Sequence, residues 1–205
     1  MIGELYEDSL AGLGQVEIEH RDGRTERLPV DQWRYGRPGD EALLGRCAGP
    51  TLDVGSGPGR LTIALAERGL PALGIDVTPY AVRMTRAGGG LALLRDVFDR
   101  IPGTGRWQTV LLADGNIGIG GDPSVLLRRV AALLGRRGRA IAELENATTH
   151  TEWLRLRDEC QVSDWFRWSR VGPDAIEEYA AAAGLVVTGI WTESSRWFAE
   201  LTPAA

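Results

Sequence analysis

The sequence is poor in residues that form covalent links or bind metals. Of its 205 residues only two are cysteines, Cys47 and Cys160. Two thiols cannot make a disulfide framework or a zinc cluster, so a reducing compartment is expected. His20 and His150 are the only histidines, and we expect no metal site.

The chain also lacks the hydrophobic segments used for export or membrane insertion. Residues 1–14, MIGELYEDSLAGLG, carry acids where a secretory signal has a basic region. No apolar run approaches the roughly 18 residues that a membrane span needs. These absences favour a cytoplasmic protein with no membrane partner.

Positive charge is scarce as well. The formal net charge is −5, which argues against an extended nucleic-acid surface. One basic cluster could contact phosphates, or it could form the polar face and last turn of a helix. The second interpretation is favoured, because charge runs are usually solvated faces. Its members are Arg128, Arg129, Arg136, Arg137 and Arg139.

From residue 50 onward, short apolar runs alternate with helical patterns, which is typical of a parallel sheet built from βαβ units. The predicted strands are TLDV (51–54), PALGI (71–75), LALLR (91–95), TVLLA (109–113) and RAIAEL (139–144). Helix starts are predicted from N-cap residues at Thr78, at Asp122 (followed by Pro123) and at Asp174. LVVTGIWT and SRWFAELT then predict two antiparallel strands joined at Glu193–Ser194.

Two segments lie outside this pattern. Within residues 1–49, alternating residues on both sides of Asp22–Gly23 predict a hairpin. Residues 146–172 are expected to form an irregular insert rich in aromatic side chains. The chain is thus predicted to be one α/β core, residues 50–205, that carries this insert and an N-terminal hairpin or cap segment, residues 1–49.

The stretch TLDVGSGPGR, residues 51–60, places a glycine turn behind the first core strand. Ligands collect at this edge of a doubly wound sheet, although a purely structural turn is a close alternative. A dinucleotide fingerprint needs glycine where Arg60 stands, and Asp53 would repel a pyrophosphate. A ligand with an ammonium or sulfonium group would instead be attracted to the Asp53 carboxylate. Asp76, 21 positions after Gly55, could accept hydrogen bonds from ribose hydroxyls.

LDVGSGPGR with GID downstream resembles the class I S-adenosylmethionine-dependent methyltransferases, over roughly residues 50–145. The family's first motif is matched by an acid and three glycines, Asp53, Gly55, Gly57 and Gly59. The resemblance implies a doubly wound, mostly parallel, seven-stranded Rossmann-like sheet with an antiparallel terminal hairpin. It also implies cofactor binding by the loop and the following strand ends: Asp53, Gly55, Ser56, Gly57, Pro58, Gly59, Asp76, Val77, Asp96, Val97, Asp114, Gly115 and Asn116.

The resemblance assigns roles within that set. The glycine loop would hold the methionine end of the cofactor, with Asp53 near its ammonium. Asp76 would hold the ribose diol, and Asp96 would meet the adenine amine, with Val97 or Phe98 against the ring. The turn formed by residues 114–116 would line the reaction site.

The acceptor is expected to be a small molecule that is methylated on oxygen or nitrogen. ADGNIG lacks the prolines that shape a slot for a flipped base in amino-methylating nucleic-acid enzymes of the superfamily. Neither cysteine is placed for methylation of cytosine C5. The segments outside the core would supply the acceptor pocket, although their aromatics could instead pin them to the core. The aromatic candidates are Trp33, Tyr35, Trp153, Trp165, Phe166 and Trp168.

An acceptor hydroxyl or ammonium must lose a proton, so one general base is expected. His150 is the first candidate, since it follows the fifth core strand and histidine is the side chain most often used as a general base. A surface histidine in a polar loop would have the same sequence pattern. Asp114 is the second candidate as a catalytic residue. Glu143 and Glu145 are further candidates, and either could be a structural acid paired with an arginine.

The sequence therefore predicts a cytoplasmic methyltransferase of small-molecule biosynthesis, a monomer or homodimer that uses S-adenosylmethionine and yields S-adenosylhomocysteine. A catalytically silent S-adenosylmethionine-binding protein that regulates or scaffolds a partner is the first alternative. An NAD(P)-dependent oxidoreductase is the second, and Arg60 and Asp53 disfavour it.

Overall fold

The computed structural model describes residues 2–204. Its α-helices are α1 (Ile2–Ala11), α2 (Val30–Arg34), α3 (Asp40–Leu44), α4 (Arg60–Glu67), α5 (Pro79–Ala87), α6 (Pro123–Leu133) and α7 (Ile176–Ala182), with a short 3₁₀ segment at Asn116–Gly121. Its strands are β1 (Glu17–His20), β2 (Thr25–Arg27), β3 (Thr51–Val54), β4 (Ala72–Asp76), β5 (Ala92–Leu94), β6 (Trp107–Leu112), β7 (Leu134–Leu144), β8 (His150–Arg157), β9 (Phe166–Arg170), β10 (Leu185–Glu193) and β11 (Arg196–Pro203). Within this part of the chain, no helix combines the length and the apolar character needed to cross a bilayer.

The main sheet has seven strands in the order β10-β11-β7-β6-β3-β4-β5. The five strands from β7 to β5 run parallel, whereas β11 is antiparallel to β7 and to β10. The strand β3 is buried along its whole length, as expected for a central parallel strand covered on both faces. The predicted doubly wound α/β class, with its antiparallel terminal hairpin, is confirmed.

The helix starts agree with the sequence at two of the three predicted N-cap residues and differ at the third. Thr78 is the N-cap residue of α5, although its side chain makes no capping hydrogen bond. The carboxylate of Asp122 accepts a hydrogen bond from the Val125 amide at 3.1 Å and caps α6, as predicted. The predicted cap at Asp174 is wrong, because α7 has Ala175 at that position. Asp174 instead accepts a hydrogen bond from the hydroxyl of Thr149 at 2.7 Å.

A second sheet has four antiparallel strands in the order β2-β1-β8-β9. The predicted hairpin forms β1 and β2, but the irregular backbone expected between residues 146 and 172 is wrong, because this segment forms β8 and β9. Its strand pattern is hidden by charged residues that pair across the sheet. Arg155, for example, donates to Glu19 at 2.9 Å. Both non-core segments therefore build one small sheet.

The helix α1 was not predicted, and it joins the two sheets. Leu5 and Leu10 are fully buried in a cluster with Leu156 of β8 and Ala81 of α5. The first residues of the chain thus pack between the small sheet and a helix of the main sheet. This position brings α1 to the carboxyl edge of the main sheet.

Candidate active site

The glycine turn links β3 to α4 at the carboxyl edge of the main sheet. Gly55, Gly57 and Gly59 all have left-handed backbone angles, with φ of 67°, 52° and 90°, which glycine adopts without strain. A Cβ added at Gly59 would lie only 2.5 Å from the side chain of Thr85. Both the backbone angles and the close packing therefore require glycine here.

Asp53 lies under this turn. Its side chain is buried and accepts a hydrogen bond from the hydroxyl of Thr62 at 2.7 Å. Burial, together with a smaller contribution from Asp114, raises the pKa of the Asp53 carboxyl to about 6 against the lowering effect of the Thr62 bond. A cation bound beside Asp53 would favour its ionised form.

Asp76 ends β4 and ties two loops together. One carboxylate oxygen accepts from the Gly57 amide at 2.9 Å, and the other accepts from the Thr78 amide at 2.8 Å. Burial raises the pKa of this carboxyl. An ionised carboxylate has about four acceptor positions, so each oxygen can accept a further bond from a ligand hydroxyl.

The end of β5 lies next to Asp76, since β4 and β5 are parallel neighbours. Asp96 accepts a hydrogen bond from the Phe98 amide at 2.9 Å. Val97 is buried in the core, whereas Phe98 and Val77 expose large parts of their apolar side chains. Of the two predicted ring contacts, Phe98 therefore has the available surface.

The turn after β6 is fixed at several points. Asp114 has a left-handed φ of 53°, and its carboxylate accepts from Arg37 at 2.7 Å and from Arg60 at 2.6 Å. The amide of Asp114 donates to Glu143 at 2.6 Å. Asn116 donates through Nδ2 to the carbonyls of Val54 and Gly55, both at 2.9 Å, so this turn is bound directly to the glycine turn.

Asp114 belongs to a buried charge network of three arginines and three acids. Its members are Arg37, Arg60, Arg196, Asp40, Asp114 and Glu143. Arg60 pairs with Asp40 as well as with Asp114. Arg196 pairs with Asp40 at 2.8 Å and with Glu143 at 2.7 Å. The formal charges of the network balance, and Glu143 is already committed to an arginine.

Tyr6 is a site residue that the sequence did not reveal. Its hydroxyl lies 3.2 Å from the Cβ position at Gly57, so α1 covers the glycine turn. Burial raises the pKa of Tyr6 far above its ordinary value, with further contributions from Asp76 and Asp114. The ring of Trp33 meets Tyr6 edge to face at 5.8 Å. The sequence offered only a tyrosine next to Leu5, which the structure shows to be buried.

The hydroxyl of Ser56 is another unusual feature of the turn. Its Oγ atom is buried and has no hydrogen-bond partner among residues 2–204. A buried hydroxyl without a partner is costly, and a polar ligand atom would satisfy it. Pro58 is buried within the same turn.

The predicted aromatic residues fall into three groups. Trp33 contacts Tyr6, and the indole of Trp168 lies 2.7 Å from the Cβ position at Gly118, two residues beyond Asn116. Exposed rings form the second group, which comprises Tyr35, Trp153 and Trp165. Phe166 is half-buried against the cluster that holds α1. The geometry therefore brings Trp33 and Trp168 to the edges of the site.

The candidate bases differ in how their contacts relate them to the turn after β6. His150 is half-exposed, with Nδ1 2.9 Å from the carbonyl of Thr148 and Nε2 3.9 Å from Glu152. Glu145 contacts the turn more directly, since its Oε1 lies 3.2 Å from the Cβ position at Gly115. Asp114 is bound by two guanidinium groups.

Two curated proteins match parts of the chain. The chain is 47% identical over 44 residues to an ATP synthase lysine N-methyltransferase of Mus musculus, covering 22% of this chain and 18% of that protein. It is 33% identical over 75 residues to the 2-heptyl-1-hydroxyquinolin-4(1H)-one methyltransferase of Mycobacteroides abscessus, covering 34% and 33%. The chain thus spans a third or less of these relatives' lengths. No family model matches.

Solved structures match over much more of the chain. An S-adenosylmethionine-dependent methyltransferase of Bacteroides fragilis, in complex with S-adenosyl-L-homocysteine, aligns with 100% of this chain and 94% of its own at 22% identity and a TM-score of 0.84. The 1,6-didemethyltoxoflavin-N1-methyltransferase of Burkholderia thailandensis aligns with 80% and 75% at 18% identity and a TM-score of 0.59. These likenesses show that the chain has the fold of S-adenosylmethionine-dependent methyltransferases.

Proposed function

We propose that the protein transfers a methyl group from S-adenosylmethionine to a small-molecule acceptor. The observation that carries this proposal is the bond from the Gly57 amide to Asp76. It joins an acid at the end of the second core strand to a glycine turn that already lies over the buried Asp53. The fold shared with structures that hold S-adenosylhomocysteine supports the same cofactor.

The residues present fit this cofactor. Asp53 would stabilise its ammonium, and Asp76 would accept from the ribose hydroxyls with the acceptor positions that the two amides leave free. Asp96 would receive the adenine amine, with Phe98 packed against the ring. The buried hydroxyl of Ser56, which has no partner among residues 2–204, would bond a polar atom of the methionine end.

Arg37 is our candidate for the carboxylate of the cofactor. It is the most exposed arginine of the buried charge network, and it reaches the turn after β6 through its bond to Asp114. A guanidinium can bind a carboxylate through two parallel hydrogen bonds. Arg37 would then share its donors between Asp114 and the ligand.

Bound S-adenosylmethionine would supply an activated methyl carbon on a sulfonium. The protein itself would have to align the acceptor with this methyl group, exclude water and take up the proton that the acceptor loses. The helix α1, with Tyr6 over the glycine turn, covers this end of the site. We retain His150 as the proposed base, because two arginines already bind the carboxylate of Asp114. Asp114 remains the second choice.

We propose a planar or apolar small molecule as the acceptor, methylated on oxygen or nitrogen. Trp33 and Trp168 at the edges of the site support this class, since aromatic faces stack on planar ligands. Two proteins with partial or structural likeness are named for heteroaromatic acceptors, a hydroxyquinolinone and a didemethyltoxoflavin. The net charge of −5 disfavours a nucleic-acid acceptor.

The test is an acceptor screen with S-adenosylmethionine labelled in its methyl group. The panel pairs hydroxyl and amino forms of quinolines, indoles and flavins, and it includes single- and double-stranded DNA. We expect label in a small molecule, and we expect less transfer in Asp76→Ala at subsaturating cofactor. Cofactor binding without transfer to any member would favour a silent binding protein, and label in DNA would overturn the acceptor class.

A further inference from the structure

We propose that Arg60 is a positioning residue, which holds the glycine turn, the turn after β6 and the N-terminal segment in one arrangement. This inference rests on the proposed function and goes beyond it, since it concerns how the site keeps its shape. Arg60 is the residue at which the glycine turn departs from a dinucleotide fingerprint, and the structure gives it a defined set of contacts.

One guanidinium makes connections in two directions. Arg60 is the first residue of α4, directly after Gly59 of the glycine turn. Its Nη2 donates to Oδ2 of Asp114 at 2.6 Å, and its Nη1 pairs with Asp40 at the start of α3. A planar fork can reach two carboxylates at a fixed angle, whereas a lysine ammonium cannot reproduce that geometry.

A second set of hydrogen bonds joins the same two turns. Asn116, two residues after Asp114, donates from its side chain to the carbonyls of Val54 and Gly55. The glycine turn and the turn after β6 are therefore joined at both ends, by Arg60 on one side and by Asn116 on the other. Motion of one turn would have to move the other.

The network also fixes a strained residue. Asp114 has a φ of 53°, a region that non-glycine residues seldom occupy. Its amide is held by Glu143, and its carboxylate is held by Arg37 and Arg60. Removal of Arg60 would free one oxygen of Asp114 and leave Asp40 with Arg196 as its one guanidinium partner among residues 2–204, beside the backbone amide of Arg37.

The burial of the Arg60 and Asp40 side chains bears on whether their ion pair contributes to stability or to the geometry of the site. The side chains of Arg60 and Asp40 are 5% and 8% exposed. Buried ion pairs give little net stability compared with apolar residues of the same shape, because desolvation opposes the attraction. Removal of Arg60 alone would nevertheless lower stability, because it leaves the carboxylates of Asp40 and Asp114 with less compensating charge. The geometric effect that we assign to Arg60 is therefore measured as ligand affinity in the folded protein.

The experiment compares Arg60→Met, which keeps the length of the side chain, with Arg60→Lys, which keeps the charge. Arg68→Met is the matched control, since Arg68 lies just beyond the other end of α4 and pairs with the exposed Glu41 at 2.5 Å. Calorimetry with S-adenosylhomocysteine is run well below each variant's Tm. We expect affinity to fall at least tenfold in Arg60→Met, less in Arg60→Lys, and to stay unchanged in Arg68→Met.

Measuring the affinity for S-adenosylhomocysteine at several pH values distinguishes a positioning role of Arg60 from a general loss of stability. Arg60 opposes the rise that burial causes in the pKa of both Asp53 and Asp114, so in Arg60→Met the loss of affinity on acidification should begin at a higher pH. Equal affinity and the same pH profile in wild type and in the folded Arg60 variants would overturn the inference. If Arg60→Met does not fold, Arg60→Lys decides in the same way. A wild-type protein that binds no S-adenosylhomocysteine would instead contradict the proposed function.

Discussion

The hydroxyl of Thr62 donates a hydrogen bond to Asp53 at 2.7 Å, beneath the glycine turn. Asp53 is only 2% exposed, and burial raises the pKa of its carboxyl to about 6. The buried acid is therefore mostly ionised at neutral pH and becomes protonated as the pH falls through about 6. A bound cation would lower this pKa, because an opposite charge favours the ionised form.

The first prediction concerns the pH dependence of cofactor affinity. Because the pKa of Asp53 in the free protein is about 6 and is expected to be lower in the complex, affinity for S-adenosylmethionine should fall as the pH drops through about 6 and level off above it. Asp53→Asn should bind more weakly near neutral pH and lose this limb. Calorimetry between pH 5 and 8 measures both, and an unchanged limb in the variant would remove Asp53 from the ammonium site.

The second prediction concerns Asp76. Asp76→Ala removes charge-assisted hydrogen bonds to the ribose worth roughly 1.5–3 kcal/mol, so affinity for S-adenosylmethionine should weaken at least about tenfold. Asp99→Ala, at an exposed acid in the loop after β5, is the control and should bind as wild type. The same dissociation constant in Asp76→Ala would refute the ribose assignment.

The third prediction separates backbone strain from packing. Gly59 and Gly69 both have positive φ, but only Gly59 faces close neighbours, with Thr85 at 2.5 Å from the Cβ position. Gly69→Ala should cost about 1 kcal/mol from strain alone, whereas Gly59→Ala should cost about 1–3 kcal/mol more from overpacking. Urea denaturation measures both, and Thr85→Ala should recover part of the loss in Gly59→Ala. Equal losses in the two glycine variants would contradict the packing argument.

The core of the fold was predictable because its signals are local. Each parallel strand is a short apolar run, and Asp122 with Pro123 marks a helix start by a bond that forms within one turn. The acids at strand ends could be placed because parallel strands end at one edge of the sheet. Asp76 lies there and holds the glycine turn.

The features that could not be predicted depend on contacts between residues that are far apart in the sequence. Strand β8 was missed because Arg155 and Arg157 interrupt its apolar pattern and find their partner, Glu19, more than 130 positions away in sequence. Tyr6 could not be placed at the glycine turn without knowing that α1 packs on α5. The Arg60 pairs were equally hidden, because neither Asp40 nor Asp114 is near it in sequence.

The fourth prediction tests the proposed base. His150→Ala should lower kcat by about 10² to 10⁴ and leave cofactor affinity within a factor of a few. The acidic limb of the pH–rate profile should disappear, because this limb would report the imidazole. Wild-type turnover with an unchanged limb would move the role to Asp114, for which Asp114→Asn is the next variant.

The most direct test of the central claim is calorimetric titration of the wild-type protein with S-adenosylmethionine, S-adenosylhomocysteine and NAD under identical conditions. We predict one site per chain for each of the first two ligands and no heat of binding for NAD. Binding of NAD, or no binding of either S-adenosyl compound, would contradict the account of the glycine turn with Asp53 and Asp76.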